Sequence, residues 1–217
     1  MAIKMEILKS HEDWKKNRGK YIGGSDVACV VGLNPYKNSQ ELWLEKTGRK
    51  QAPDLKGNKA VEYGTNCEPY LRSIFALDYP DYRVFYQENN SWSNDEYPWA
   101  RASLDGWLQD ENKRLGILEI KTCTIKSKSQ KESWNNRIPD NYYCQVLFYM
   151  AITNADFVIV KAQLKYEYEG SEPYAITKHY RIERSEVEQD ISELMDKARE
   201  FAEYIKNDIE PPVVLNI

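Results

Sequence analysis

Two short segments hold the residue types that hydrolysis at a divalent cation needs: Ala102-Ser103-Leu104-Asp105-Gly106 and Gly116-Ile117-Leu118-Glu119-Ile120-Lys121. Side chains alternate along a strand, so Glu119 and Lys121 fall on one face while Leu118 and Ile120 enter the core. Ser103 and Asp105 share a face in the same way. If Asp110-Glu111-Asn112 turns the two strands into a hairpin, Asp105, Glu119 and Lys121 meet at one end. Two carboxylates placed there repel, and a hard divalent cation resolves the repulsion, with the Ile120 carbonyl as a further oxygen ligand. A lysine beside such a cation can hold an attacking water or help deprotonate it. Taken singly, each piece has a plainer account: Glu119 and Lys121 as a salt-bridged pair on an exposed strand, Asp105-Gly106 as a turn.

Other candidates lie on the elements around this pair. Glu68 stands in Tyr63-Gly64-Thr65-Asn66-Cys67-Glu68-Pro69-Tyr70, ahead of the strands. Gln145 and Tyr149 share a face at i, i+4 on a helix that is otherwise apolar (Val146, Leu147, Phe148, Met150), and both need hydrogen-bond partners. A satisfied core amide is the alternative for Gln145.

The elements that must position these residues follow from period and punctuation. Ser10 with Asp13 caps a short helix through Trp14 and Lys15. Tyr21-Ile22-Gly23-Gly24 is a loop, and Ser25-Asp26 caps a second short helix over 27–31, stopped by Gly32 and Pro35. Ser39 starts a third, with Leu42 and Trp43 inward and Gly48 at its end. Residues 58–77 form a longer helix with apolar contacts from Val61, Cys67, Leu71, Ile74 and Phe75, kinked or broken at Pro69. The period then changes to two over 82–89, 100–109 and 114–122. Pro139 opens a helix to about residue 153, strands follow at 156–164 and 174–182, and 185–207 is a last amphipathic helix built on Val187, Ile191, Leu194, Ala198, Phe201 and Ile205. The expected fold is α/β, a mixed central β-sheet flanked by helices. It forms one domain over 1–217, with N-terminal helices in 10–77, the sheet and catalytic core in 82–182 and the C-terminal helix in 185–207.

Composition narrows the function classes. At 217 residues, one domain is the default, and no disulfide staples are needed. Neither a membrane span nor a signal peptide is expected. The four cysteines form no CxxC pair, which argues against a zinc ribbon or an iron–sulfur cluster and fits free thiols in a reducing cytoplasm. Only two histidines occur, so there is no HExxH protease motif, and histidine-metal nucleases are disfavoured. No GxxxxGK[ST] loop is present either, which removes an ATP-driven motor. The net charge of −4 conceals an uneven distribution: 183–210 carry −6, 1–50 carry +4 and 113–137 carry +5. Screening confines each patch to about 10 Å, so an acidic protein can still present a basic groove.

Taken in order, these segments resemble the lambda exonuclease family, the YqaJ-type viral recombinase nucleases of the PD-(D/E)xK superfamily. The resemblance runs from Trp14 to the strand at 156–164. It rests on Trp14-Lys15-Lys16-Asn17-Arg18, Ile22-Gly23-Gly24-Ser25-Asp26, Gly64-x3-Glu68-Pro69, Ser103-x-Asp105-Gly106, Glu119-Ile120-Lys121 and Gln145-x3-Tyr149. It implies a restriction-endonuclease-like core in which Asp105, Glu119 and the Ile120 carbonyl hold one Mg²⁺, with Mn²⁺ as a substitute. Glu68 would help hold a second, and Lys121 and Gln145 would place the hydrolytic water. Arg18 matches the arginine that receives a 5′-terminal phosphate, with Ser25 and Ser103 as neighbouring donors and Tyr149 facing the DNA groove.

The stretch from Lys121 through Lys126, Lys128 and Lys131 to Arg137, with Trp134, then reads as a DNA-facing loop and helix without base readout. The implied activity is Mg²⁺-dependent degradation of linear double-stranded DNA from the 5′ end. It would leave 3′ single strands for a single-strand annealing protein in phage-type recombination, in the cytoplasm of a bacterial host. The implied assembly is a homo-oligomer, a trimeric ring. A structure-specific or nicking endonuclease of the same fold, and a non-catalytic DNA-binding protein on that fold, are the rivals. The last helix and the 211–215 tail carry no motif.

Overall fold

The computed structural model describes residues 2–167 and 172–213; of the tail, Val214 and Leu215 lie outside the described residues. Five strands form the main sheet in the order β2-β4-β5-β6-β7: β2 (Arg83–Phe85), β4 (Gly106–Gln109), β5 (Leu115–Ile125), β6 (Phe157–Tyr166) and β7 (Tyr174–Glu183). All pairs are antiparallel except β5 with β6. A parallel pair needs a crossover, and it is supplied by α5 (Lys128–Glu132) and α6 (Asp140–Thr153). A second, two-stranded sheet joins β1 (Ile3–Ile7) to β3 (Asn90–Asn94).

Both faces of the main sheet are covered. On one, α6 packs with α2 (Gly24–Val30) and α7 (Arg184–Lys206) over Ile117, Val158, Val160 and Leu164. Ten consecutive residues of α6, from Cys144 to Thr153, are buried, as an all-round apolar sequence demands. On the other face, Leu71 and Phe75 of α4 (Lys59–Asp78) pack on Leu108, Leu118, Ile120 and Ile159. Lys161 of β6 is wholly buried beneath α4, 3.5 Å from the exposed Asp78 carboxylate, and burial holds its pKa below the usual lysine range. No helix among the described residues is long and apolar enough to cross a membrane. The four cysteines are free.

Several sequence expectations are corrected. Helix α4 runs unbroken through Pro69. Proline costs the Thr65 carbonyl its donor, but Thr65 lies at the surface, where water replaces the bond. Val61 and Ile74 are exposed, so α4 buries a narrower stripe than its pattern suggests. The α2 cap is Gly23, and Asp26 sits at the third helical position, where its carboxylate accepts the Gly23 N–H at 3.0 Å.

The strand expected over 100–109 begins only at Gly106, because residues 101–104 peel away toward the small sheet. There Trp92 and Ala102 exchange backbone hydrogen bonds, and the Asn90 side chain takes the Leu104 N–H and donates to the Leu104 carbonyl, both at 2.9 Å. Strands β1 and β3 were not anticipated. Trp134 faces no solvent: it is 1% exposed, packed on Tyr142 and Tyr180, and pins the 126–137 stretch to the core.

Candidate active site

Strand β5 and helix α6 together build the centre of the site. Glu119 and Lys121 share the α6 face of β5, and Glu119 is 1% exposed, which excludes a surface ion pair. The Lys121 Nζ lies 2.7 Å from Glu119 Oε1 and donates to Gln145 Oε1 at 2.9 Å. Gln145 in turn donates through Nε2 to Glu119 Oε1 at 2.8 Å and to the Tyr149 hydroxyl at 2.9 Å. The amide that α6 buries is thus satisfied by Lys121, Glu119 and Tyr149. The Tyr142 ring centroid sits 4.6 Å from the Lys121 Nζ.

Asp105 precedes the first ladder pair of the β4–β5 hairpin, Gly106 with Leu118, and its Oδ2 accepts the Ile120 N–H at 2.9 Å. Two side chains fix the segment that carries it. Asn90 holds Leu104, and Arg72 of α4 donates through Nε to the Asp105 carbonyl at 2.6 Å. Arg72 also bonds Glu68 one turn back and stacks on Tyr86, 3.5 Å from its ring centroid.

These carboxylates stress one another. Burial, then the charge of Asp105, push Glu119 up to about 8; burial and Asp105 push Glu68 up to about 7. Burial also raises Asp105, against the pull of Lys121. Burial works against the Lys121 ammonium, but Glu119 and Asp105 outweigh it and hold its pKa above the usual value. Lys121 is therefore a charged donor at neutral pH. Glu119 Oε2 is buried without a hydrogen-bond partner among the described residues, an arrangement that costs free energy unless something else meets that oxygen. Three carboxylates, one of which carries the orphan oxygen, and the Ile120 carbonyl fit a hard cation in donor type. Among the described residues, no three such side chains already converge into a cage, and Glu68 is engaged by Arg72.

A second cluster adjoins the first. Helix α1 (His11–Lys20) starts at the Ser10 cap, and its Trp14 donates through Nε1 to Ser103 Oγ at 2.8 Å. Arg18 donates to Ser25 Oγ at 2.7 Å and lies over Trp14, 5.2 Å from the ring centroid. Lys46 of α3 (Ser39–Lys46) ties this corner together: its Nζ meets the Arg18 carbonyl at 3.0 Å, the Tyr21 carbonyl at 2.6 Å and Asp26 at 2.7 Å. One cation thereby fixes the end of α1, which bears Arg18, against the start of α2, which bears Ser25.

The two clusters open into a single cleft of about 720 Å³. Glu68, Asp105, Glu119, Ile120, Lys121 and Gln145 line it, as do Arg18, Ser25, Ser103 and Tyr149. Lys126, Lys128, Lys131 and Arg137 do not. They are exposed outside the cleft, with Lys128 beside Glu132 at 3.7 Å and Arg137 paired to Asp140. Sequence reasoning missed Arg72, Asn90, Lys46 and Tyr142. Arg72 lies four residues after Glu68, a spacing that signals a helical ion pair, whereas Asn90 has no pattern around it.

The sequence profile of the YqaJ-like viral recombinase domain matches residues 13–156. A Bacillus subtilis protein, the uncharacterized protein YqaJ, is 28% identical over 148 residues, which are 68% of this chain and 44% of that protein; the chain spans less than half the length of this relative. Among solved structures, an alkaline exonuclease from Laribacter hongkongensis superposes with a TM-score of 0.57 at 18% identity, covering 91% of this chain and 97% of the other. A phage related exonuclease from Haemophilus somnus superposes with a TM-score of 0.53 at 12% identity, covering 89% and 98%. Both likenesses are likenesses of fold.

Proposed function

Because the chain belongs to the YqaJ-like viral recombinase domain family, we propose that it is a Mg²⁺-dependent deoxyribonuclease that shortens linear double-stranded DNA from its 5′ ends. Mn²⁺ would substitute, and the 3′ single strands left behind would serve recombination with an annealing protein. The observation that carries this reading is the shared cleft, in which a carboxylate–lysine cluster adjoins a pocket bearing Arg18, Ser25 and Ser103. An arginine that holds a terminal phosphate by charge-assisted bonds places the next phosphodiester at a fixed reach, which favours cutting from an end.

Asp105, Glu119 and the Ile120 carbonyl would hold the cation, and Glu68 would add a ligand on the α4 side. When bound, it would polarise the scissile phosphate and lower the pKa of a coordinated water. The residues around it have separable tasks. The Lys121 ammonium and the Gln145 amide orient the water and offset charge developing on the phosphoryl oxygens. Tyr149 fixes the Gln145 amide, and Arg72 fixes the segment carrying Asp105.

The carboxylates make the cation's effect depend on pH. Folded Glu119 and Glu68 titrate at about 8 and about 7, above the ~4.3 of an unfolded glutamate. The metal-free fold then binds more protons than the unfolded chain, so its stability falls as pH rises from the unfolded value through these two. Mg²⁺ prefers the ionised carboxylates and opposes that fall. Adding Mg²⁺ is expected to raise the melting temperature by several degrees at pH 8 and hardly at all at pH 5. Scanning fluorimetry with Mg²⁺ or EDTA at both pH values checks this, and an equal shift at the two would contradict it.

The function itself is tested by digesting linear duplexes with 5′-phosphate or 5′-hydroxyl ends beside covalently closed circles. Loss of the linear DNA alone, faster with the phosphate and absent in EDTA, is the expected result. Arg18→Ala should remove the preference for phosphate. Cutting of the circles would favour an endonuclease, and no cutting of any substrate would leave a DNA-binding protein.

A further inference from the structure

The pocket beside Arg18 contains a second guanidinium that none of the motif segments includes. Arg101 lines that pocket together with Arg18, Ser25 and Ser103. It is brought there by backbone pairing: Ile22 donates to the Trp99 carbonyl at 3.1 Å and Arg101 donates to the Ile22 carbonyl at 3.0 Å, which sews the α1–α2 loop to residues 99–101. Its head group is held on three sides. The guanidinium lies 3.9 Å from the centroid of the Tyr21 ring, and Nη1 donates to the carbonyls of Ala100 at 2.6 Å and Pro98 at 3.3 Å.

Those contacts fix the plane and engage Nη1, while Nε is buried without an acceptor among the described residues, which leaves the cation's charge uncompensated at the pocket wall. The carboxylate in the first turn of α2, Asp26, is already taken by Lys46. Arg101 and Arg18 therefore face one pocket with two fixed positive charges, hydroxyls beside them and no carboxylate among the residues that line it.

We propose that Arg101 is a second phosphate-binding guanidinium of the end pocket, and that it sets the preference for a terminal phosphate monoester. The inference rests on the end-directed reading given above. A monoester carries close to two negative charges at neutral pH and three terminal oxygens, whereas an internal diester carries one charge. One arginine satisfies either. Two arginines at one pocket match the dianion and gain less from the diester.

The test is the ratio of initial rates on duplexes with 5′-phosphate and 5′-hydroxyl ends, for the wild type, Arg101→Gln and Arg101→Lys, with inorganic phosphate as a competing anion. Arg101→Gln should lower the phosphate-to-hydroxyl ratio by about tenfold and weaken inhibition by inorganic phosphate by a similar factor. Arg101→Lys should fall between the two, because it keeps the charge but loses the planar fork that meets two phosphate oxygens at once. Melting curves of both variants separate a folding defect from a change of preference. A wild-type preference left intact in Arg101→Gln overturns the proposal, as does an equal fall of both rates. A wild type with no preference overturns the end-phosphate reading itself, and the role of Arg101 with it.

Discussion

Replacing Lys121 by alanine is expected to slow DNA cleavage by about 10³-fold while DNA ends still bind. Among the described residues, the lysine is the one cation in contact with both Glu119 and Gln145, and the charges of Glu119 and Asp105 outweigh its burial. Its removal takes away a fixed positive charge at the point where the phosphoryl group would gain negative charge. Leaving one member of a buried pair is usually costly to the fold. Here the cost is softened, because burial and Asp105 already push the Glu119 carboxyl up against the pull of Lys121, and without that pull it takes up a proton instead. Lys121→Met, which keeps the packing against Tyr142, should be as inactive as the alanine variant and more stable. Single-turnover cleavage with anisotropy of a labelled duplex checks both parts. Full activity in either variant would remove the carboxylate–lysine cluster from the account.

Gly24→Ala is expected to be the most damaging small substitution near the site. A Cβ at residue 24 would stand 2.3 Å from Cε1 and 2.8 Å from Cζ of Tyr149, a buried ring with α6 packed around it. Overpacking of this kind costs about 1–3 kcal/mol. Either α2 or the ring must move, and the ring's hydroxyl is the partner of Gln145. The variant should therefore lose stability and cleavage together. Gly19→Ala is the control, because its Cβ would meet nothing within 4 Å on the same helical corner. Replacing that helical glycine should add up to about 1 kcal/mol. Chemical denaturation of the two variants makes the comparison, and a Gly24→Ala protein as stable as the wild type would show that Tyr149 is not held as described.

Much of the site could be read from the chain because its residues sit on elements with strong period. Alternation on β5 put Glu119 and Lys121 on one face, and the four-residue spacing of Gln145 and Tyr149 put both toward them. Asp105 was placed beside Glu119 for a partly mistaken reason. It is held by Asn90, Arg72 and the Ile120 N–H rather than by a long strand. Strand β1 alternates Ile3, Met5 and Ile7 and was legible in principle. Strand β3, Asn-Ser-Trp-Ser-Asn, has no apolar alternation, and pairing alone makes it a strand. The lysines of 126–137 fell outside the cleft because charge counts carry no direction. Trp134 turns inward and fixes which way that stretch faces.

The most direct measurement follows the products of the wild-type protein on a linear duplex labelled separately at its 5′ and 3′ ends, in Mg²⁺ and in EDTA, with Asp105→Asn alongside. The account predicts early release of the 5′ label as a mononucleotide, long 3′ single strands that keep their label, and no release in EDTA or from Asp105→Asn. Early release of the 3′ label, internal cuts, or cleavage that persists in Asp105→Asn would contradict it.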